Sequence, residues 1–328
     1  MPAPLPPPPQ LGAGPRHLAL VAATAQVTAA DFPAAAPAAA AAAAEGVRIF
    51  EHPRAVNSAA FSPDGKSLAT ASADSSARIF DVATGELIYS FEHGDVVWSA
   101  SFSPDGSQIC TSSSDGTARI YDTRTFDLVQ LCGHTLPVRN AQFSADGALL
   151  CTASGDGTAR IYEAESGAMV HKLPHGSWVL TAAFSPDGRL LGTGCVGSTA
   201  RIYEVGSGKL LRQLKHLGCV SGVNFSPDGR RLATASGDKC ARIFDVESGE
   251  VLHKLKHSAL VWTASFSRDG ARLCTSAGNG AQLYDAASGE LLQQIRHASP
   301  ILGAAFSHDG RLVCTASEDW KARVHEVE

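Results

Sequence analysis

Three residue types that can act together in nucleophilic catalysis recur at fixed distances along this chain. Seven histidines follow one another at intervals of 41, 41, 41, 41, 41 and 40 residues. Five of them are followed 22 residues later by an Asp, and a Ser stands two residues before each of those Asp residues. In one site, such residues could supply a nucleophile, a general base and a carboxylate that orients the base. The five sets are His52, Ser72 and Asp74; His93, Ser113 and Asp115; His134, Ser154 and Asp156; His216, Ser236 and Asp238; and His297, Ser317 and Asp319.

Fivefold repetition indicates a structural role instead, because a catalytic set occurs once in an active site. The fourth repeat has Cys195 and Gly197 where the others have Ser and Asp, and the sixth has Ala277 and Asn279. We predict that the complete sets have a structural role, and that the loops of the fourth and sixth repeats, which lack complete sets, are looser or differently shaped. An enzyme is the less favoured alternative, since it would need a single His–carboxylate pair outside the repeat pattern.

Each repeat also contains the elements of a small sheet. An apolar segment that ends in Phe61 is followed by the turn 62–65, Ser-Pro-Asp-Gly, which predicts a tight hairpin because Gly supplies a positive φ. A strand of small residues, a turn at Asp74, a third strand and a Thr-Gly or Ser-Gly turn before a fourth strand complete the unit. Four short strands predict an antiparallel sheet that is not stable alone. Seven of them predict an all-β fold, a seven-bladed β-propeller of four-stranded antiparallel blades.

The ends of the repeat region predict how the ring closes. The seventh repeat stops at Glu328, after its third strand. Residues 45–52, EGVRIFEH, align with residues 86–93, ELIYSFEH, which contain the fourth strand of the first repeat. We predict that residues 46–51 complete the last blade, so that the propeller spans 46–328.

Residues 1–45 form a leader of different composition. They hold 9 of the 17 prolines, 18 alanines and only three charged residues. Such an Ala/Pro-rich, low-complexity segment is predicted to be disordered, because it buries too little area to offset the entropy of ordering. A signal or transit peptide is disfavoured, since the leader has one Arg, no Ser and no basic residue near Met1. A polyproline ligand is a weaker alternative.

Composition excludes several classes of protein. The formal net charge of −5 disfavours nucleic-acid binding through a positive field, and no apolar run is long enough for a membrane span. The eight cysteines show no CxxC pair or zinc spacing, and the Asp-Gly turns lack the dense oxygen ligands of calcium loops. We therefore expect neither metal nor cofactor, and a reducing compartment: the cytoplasm, with the nucleus as an alternative.

Over residues 46–328 the chain resembles the WD-repeat (Trp-Asp repeat) β-propeller family. The period, the Ser-Pro-Asp-Gly turns and the repeated His and Asp carry this resemblance. The signature dipeptide is altered, because six repeats have Phe or Tyr in place of Trp, as in Phe80-Asp81, and the seventh has His325-Glu326. The resemblance implies that the His, Ser and Asp network ties the loops between blades to the turns between second and third strands. It also implies that partners bind the face carrying these loops and turns, here called the top face.

The four Trp residues are all expected on the top face. Trp98 and Trp262 follow their His by five residues, Trp178 follows by three, and Trp320 directly follows Asp319. The positions equivalent to Trp98 should ring the mouth of the central channel; in the other repeats they hold Asn57, Arg139, Leu180, Ser221 and Leu302. Trp and Arg dominate binding hot spots. We predict a partner-binding surface that consists of Trp98, Trp178, Trp262, Trp320, Arg139, Asn57 and Leu302. The alternative is that the Trp side chains fold inward and plug the channel.

Residues 109–124 carry a second signal. They resemble the box with which WD-repeat substrate receptors of cullin-type ubiquitin ligases contact their adaptor: Asp122 and Arg124 match, and Tyr121 replaces Trp. The sequence thus predicts a non-catalytic interaction scaffold, monomeric by itself, that binds a protein or peptide. A ligase substrate receptor and an enzyme with a site in the channel are the alternatives.

Overall fold

Seven antiparallel sheets of four strands each make up the computed structural model, which describes residues 47–327. We number the strands β1 to β28 in chain order and the sheets as blades 1 to 7. The inner strands are β2 (Val56–Phe61), β6 (Val97–Phe102), β10 (Val138–Phe143), β14 (Val179–Phe184), β18 (Val220–Phe225), β22 (Val261–Phe266) and β26 (Ile301–Phe306). The second strands are β3 (Ser67–Ser72), β7 (Gln108–Ser113), β11 (Leu149–Ser154), β15 (Leu190–Cys195), β19 (Arg231–Ser236), β23 (Arg272–Ala277) and β27 (Leu312–Ser317).

The remaining strands lie towards the perimeter. The third strands are β4 (Ser76–Asp81), β8 (Thr117–Asp122), β12 (Thr158–Glu163), β16 (Thr199–Glu204), β20 (Cys240–Asp245), β24 (Gly280–Asp285) and β28 (Lys321–Glu326). The outer strands are β5 (Leu87–Glu92), β9 (Leu128–Gly133), β13 (Met169–Pro174), β17 (Leu210–Lys215), β21 (Val251–Lys256), β25 (Leu291–Arg296) and β1 (Arg48–Glu51). Each inner strand contacts the inner strand of the next blade, and β26 contacts β2, so the ring is closed.

The Ser-x-Asp-Gly segments form the turns between first and second strands. In blade 1, Ser62 Oγ donates to Asp64 Oδ1 at 2.7 Å and accepts from the backbone N–H of Ser67 at 2.9 Å. Gly65 has a φ of 72°, which a residue without a Cβ adopts at little cost. These side chains satisfy the backbone of the turn and explain why the motif recurs at every blade.

Blade 7 is completed by the N-terminal strand, as predicted. β1 pairs antiparallel with β28, with Arg48 opposite Val324 and Glu51 opposite Lys321. The Lys321 ammonium lies 3.0 Å from the Glu51 carboxylate. The prediction of a seven-bladed all-β propeller closed by this strand is confirmed. The predicted leader, residues 1–45, lies outside the described residues.

The core lies between neighbouring blades. Phe50, Leu68, Ile109, Leu150 and Ile161 are among its fully buried large side chains. Small side chains fill the second strands, where burial on both faces leaves little room. Cys110, Cys151, Cys274 and Cys314 occupy one equivalent, fully buried position there.

The inner strands are also joined by polar side chains. Ser58, Ser99 and Asn140 each accept a hydrogen bond from a backbone N–H of the next inner strand, at 3.3, 3.1 and 3.1 Å. At the equivalent position of blade 5, Gly222 allows the backbones to approach, because a Cβ there would lie 3.0 Å from the carbonyl oxygen of Trp262. No helix within residues 47–327 is long and apolar enough to cross a membrane.

Candidate functional site

In blades 1 to 3 the repeated His and Asp residues meet. The Nδ1 atoms of His52, His93 and His134 lie 3.0, 3.4 and 2.9 Å from the Oδ2 atoms of their Asp residues. The Ser hydroxyl does not face the imidazole; Ser72 Oγ donates to the backbone oxygen of Ala55 at 3.0 Å and accepts from the N–H of Asp74 at 3.1 Å. This arrangement joins a loop between blades to a top-face turn. The Ser hydroxyl is therefore not placed to exchange a proton with the imidazole.

Two members of these networks were missed by the reading of the sequence. A Thr follows each His by 18 residues, and Thr70 Oγ1 lies 2.7 Å from His52 Nε2. An Arg follows most of the His residues by 26 residues, and Arg78 Nη2 donates to Asp74 Oδ2 at 3.2 Å. The Arg residues also reach across blades: Arg78 Nη1 donates to the backbone oxygen of Glu51 at 3.3 Å. The fixed spacing of Thr and Arg was the available signal.

The fourth and sixth blades lack the Asp and hold their histidines differently. His175 Nδ1 lies 2.9 Å from the backbone oxygen of Leu173, and His257 Nδ1 lies 3.0 Å from that of Leu255. As in blades 1 to 3, each Nε2 atom lies beside a Thr hydroxyl: His175 Nε2 is 2.7 Å from Thr193 Oγ1, and His257 Nε2 is 2.9 Å from Thr275 Oγ1. The imidazole therefore stabilises its own strand end instead of the neighbouring turn.

Blades 5 and 7 carry the full set of residues but connect them through Arg. Arg242 donates to both carboxylate oxygens of Asp238, at 3.1 and 2.7 Å, and its Nη1 lies 3.4 Å from His216 Nδ1. In blade 7, Arg323 binds Asp319 at 3.0 and 2.6 Å and His297 Nδ1 at 3.1 Å. A further difference marks blade 5, where the buried atoms His216 Nε2 and Thr234 Oγ1 make no hydrogen bond within the described residues.

The network histidines are neutral at pH 7. Burial lowers the pKa of His93, His175 and His216 to about 4, because the charged imidazolium would lose its hydration. Burial alone would raise the pKa of Asp74, but hydrogen bonds from His52 and Ser76 outweigh it and hold that pKa at about 2. Such perturbed groups could suggest catalysis. Here every His–carboxylate ion pair within residues 47–327 is a copy of the repeat.

A β-bulge opens each inner strand near its top end. In blade 1, Val56 pairs with Ser72 and Ser58 pairs with Ala71, so Asn57 is the extra residue. The same register shift occurs in all seven blades. Bulges re-aim side chains and are frequent beside functional sites. The extra residues, which we call the bulge ring, are Asn57, Trp98, Arg139, Leu180, Ser221, Trp262 and Leu302.

Two polar side chains of the bulge ring join neighbouring blades. Asn57 Nδ2 donates to the backbone oxygen of Val97 at 2.8 Å, and Ser221 Oγ donates to that of Val261 at 2.7 Å. Trp262 and Leu302, also in the ring, are half-buried.

Trp98 and Arg139 form a stacked pair in this ring. The central carbon of the Arg139 guanidinium lies 3.4 Å from the centroid of the Trp98 ring. Trp98 Nε1 donates to Ser114 Oγ at 2.7 Å, which orients the indole. Both side chains are half-buried, and burial lowers the pKa of Arg139 to about 10, so it stays charged at pH 7.

Exposed apolar side chains also occur elsewhere on the top face. Trp178 and Trp320 are 44% and 57% exposed. Leu136 and Leu217, which the reading of the sequence passed over, are 45% and 89% exposed. A Cβ on Gly155 would lie 3.4 Å from the Trp178 ring and 3.6 Å from Leu136, so both side chains lie beside that glycine.

Asp122 and Arg124 lie in the turn between β8 and β9. The Asp122 carboxylate accepts from the backbone N–H groups of Arg124 and Thr125, at 2.7 and 2.9 Å. Asp81 has the same capping role in blade 1, so this contact belongs to the repeat. Arg124 itself is exposed. Phe126, where five other blades have Gly, has a φ of 63° and stacks on Tyr89 at 4.1 Å.

The described residues contain no group of three or more His, Cys, Asp or Glu side chains that could hold a metal ion. A family model described as WD domain, G-beta repeat matches six segments, which together cover more than half of the chain: residues 45–81, 85–122, 126–163, 167–204, 208–245 and 289–326. The stretch that it leaves out holds most of blade 6, which lacks the Ser and Asp and has the shorter turn. A search of curated proteins found no match.

Proposed function

The chain belongs to the WD domain, G-beta repeat family, and from that membership we propose that it binds a protein partner through the top face around the bulge ring. WD40 propellers are generally protein-interaction scaffolds and typically non-catalytic. Within that coarse function, the face and its residues are our proposal. The observation that carries it is that two pairs of side chains lie on the top face of the neighbouring blades 2 to 4: Trp98 stacked on Arg139, and Trp178 with Leu136 beside Gly155.

Exposure adds support at Trp320, whose side chain is 57% exposed. The residue has a φ of 70°, but Ser75, Ser198 and Lys239 have positive φ values at the same turn position of other blades, so this conformation belongs to the repeat. The exposed apolar area of the indole is what supports a binding role.

The test compares capture of partners from cell extract by the full chain and by matched variants. Trp178→Ala with Trp320→Ala removes exposed apolar area from the top face. The control, Leu291→Ala with Leu292→Ala, removes side chains that are 54% and 55% exposed on the perimeter. We expect partners to be lost with the Trp pair and kept with the Leu pair. Partners that survive the Trp pair but not the Leu pair would place binding on the perimeter.

Exposed Arg124 favours a second candidate function, that of a substrate receptor for a cullin-type ligase. No other blade has a basic residue at the equivalent turn position, and Phe126 gives this turn a different side-chain surface. Binding of a purified cullin adaptor to the full chain, and its loss in Arg124→Gln, is the expected result. Failure of the adaptor to bind would exclude this role.

A further inference from the structure

Arg139 differs from five arginines of the repeated networks. Arg78, Arg119, Arg160, Arg242 and Arg323 each form an ion pair with an Asp four residues earlier. The Arg139 guanidinium forms no ion pair or hydrogen bond with any of the described residues, and it stacks on the Trp98 ring. A half-buried cation without a counter-ion has lost part of its hydration and regained nothing from a protein acceptor.

The stack also prepares the guanidinium for a ligand. Its N–H bonds lie in the guanidinium plane, so a ring against one face leaves the N–H edge available. The hydrogen bond from Trp98 to Ser114 fixes the indole and thereby limits the rotamers of Arg139. Preorganised arginine forks favour planar bidentate acceptors, and a carboxylate is such an acceptor.

Resting on the proposed function, we propose that Arg139 is the recognition site for a carboxylate side chain of the partner, an Asp or Glu in a peptide segment laid across the top face. Arg139 is the only basic residue of the bulge ring. Its single positive charge balances the one negative charge of a carboxylate better than the two charges of a phosphate. Leu136 precedes Arg139 by three residues and lies with Trp178 beside Gly155. The segment that fits therefore has an acidic residue and a large apolar residue close together.

The probe is a pair of random dodecapeptide libraries, one with Glu fixed at the central position and one with Gln there. The full chain is immobilised, each library is applied, and affinities of retained peptides are measured by fluorescence anisotropy. We expect retention from the Glu library only, affinities about tenfold or more weaker in Arg139→Gln, and weakening by salt. Arg139→Lys keeps the charge without the fork and should bind with intermediate affinity.

The matched control is Arg189→Gln, which makes the same charge change at a side chain that is 86% exposed in the turn at the opposite ends of the strands. It should bind as the parent does. Thermal melting of each variant establishes that it is folded.

Two negative outcomes are distinguishable. Peptides retained equally from both libraries, insensitive to Arg139→Gln but lost in Trp178→Ala, would overturn the carboxylate site and leave the top face as the binding surface. Peptides insensitive to every top-face substitution would overturn both the site and the proposed function. Retention of neither library would overturn the carboxylate site.

Discussion

Replacing Phe50 by Ala tests whether β1 locks the ring. Phe50 is the buried side chain of β1, only 1% exposed, and its ring lies 5.3 Å from that of Phe80 in blade 1. It therefore packs against the blade across the closure while its backbone pairs with β28. β1 is also held by its four residues paired with β28, by the Lys321–Glu51 ion pair and by the hydrogen bond from Arg78 to the backbone oxygen of Glu51.

The expected cost follows from the buried volume. Truncating a fully buried Phe to Ala lowers the free energy of unfolding by about 3–5 kcal/mol. For a propeller of this size, about 2 °C per kcal/mol gives a melting temperature about 6–10 °C lower. Phe91→Ala is the matched control, because Phe91 occupies the same position in β5 and is 3% exposed. The two variants should lose similar stability.

Limited proteolysis with proteinase K separates the two variants. β5 is joined covalently to a neighbouring strand at both ends, whereas β1 is joined to blade 7 by non-covalent contacts alone. We expect Phe50→Ala to be cleaved within residues 48–51 under native conditions, and Phe91→Ala to resist cleavage within residues 87–92. Equal cleavage of both strands, or protection of both, would refute the view that β1 is the releasable part of the ring.

Three further predictions concern the networks and the thiols. Asp156→Ala removes the carboxylate that contacts His134 and Arg160, so the free energy of unfolding in urea should fall by about 3 kcal/mol. Asn279→Ala in blade 6 is the control and should lower it by less than about 1 kcal/mol. Equal losses would contradict a stabilising role of the network. The pKa of histidines such as His93 is about 4 in the folded protein and 6.5 in the unfolded chain, so the unfolded chain binds protons first as the pH falls. Their contribution to stability is present above pH 6.5 and lost towards pH 4, by up to about 1.4 kcal/mol per pH unit for each, and urea titrations at pH 7.5 and 5 should show that decline; unchanged midpoints would contradict it. Of the eight free thiols only Cys219 is not fully buried, so a disulfide reagent should titrate about one thiol in the native protein and all of them in urea; rapid reaction of several would contradict the described packing.

The fold could be predicted because its determinants are local and repeated. One Ser-x-Asp-Gly turn per repeat predicts one hairpin, and the same pattern in seven repeats supports the assignment of strands in each of them. The alignment of residues 45–52 with residues 86–93 identified the closing strand, since both segments place a Phe on the buried face. Period and turn chemistry were therefore enough for the architecture.

The candidate site could be predicted only in part. The spacing from His52 to Asp74 indicated a contact, but the same spacing in blade 5 gives an Arg242–Asp238 pair instead, because rotamers decide which neighbour the carboxylate meets. The positions of the bulge ring followed from the repeat, but the β-bulge itself left no sequence signal, since a bulge depends on pairing between strands. The contacts of the Trp98 indole are with Ser114 and Arg139, which lie 16 and 41 residues away along the chain, so its orientation could not be predicted from local sequence. The roles of these residues in binding stay predictions.

The pairing of β1 with β28 has a consequence for synthesis of the chain on the ribosome. β1 emerges first of the 28 strands, and its partner emerges last. At roughly 5–20 residues per second, β1 waits on the order of tens of seconds with Ile49 and Phe50 uncovered. During that time the nascent chain offers an unpaired strand edge, the kind of surface that chaperones shield and neighbouring chains capture. We therefore expect completion of the ring to be the last step of folding, with blades 1 to 6 assembled before it.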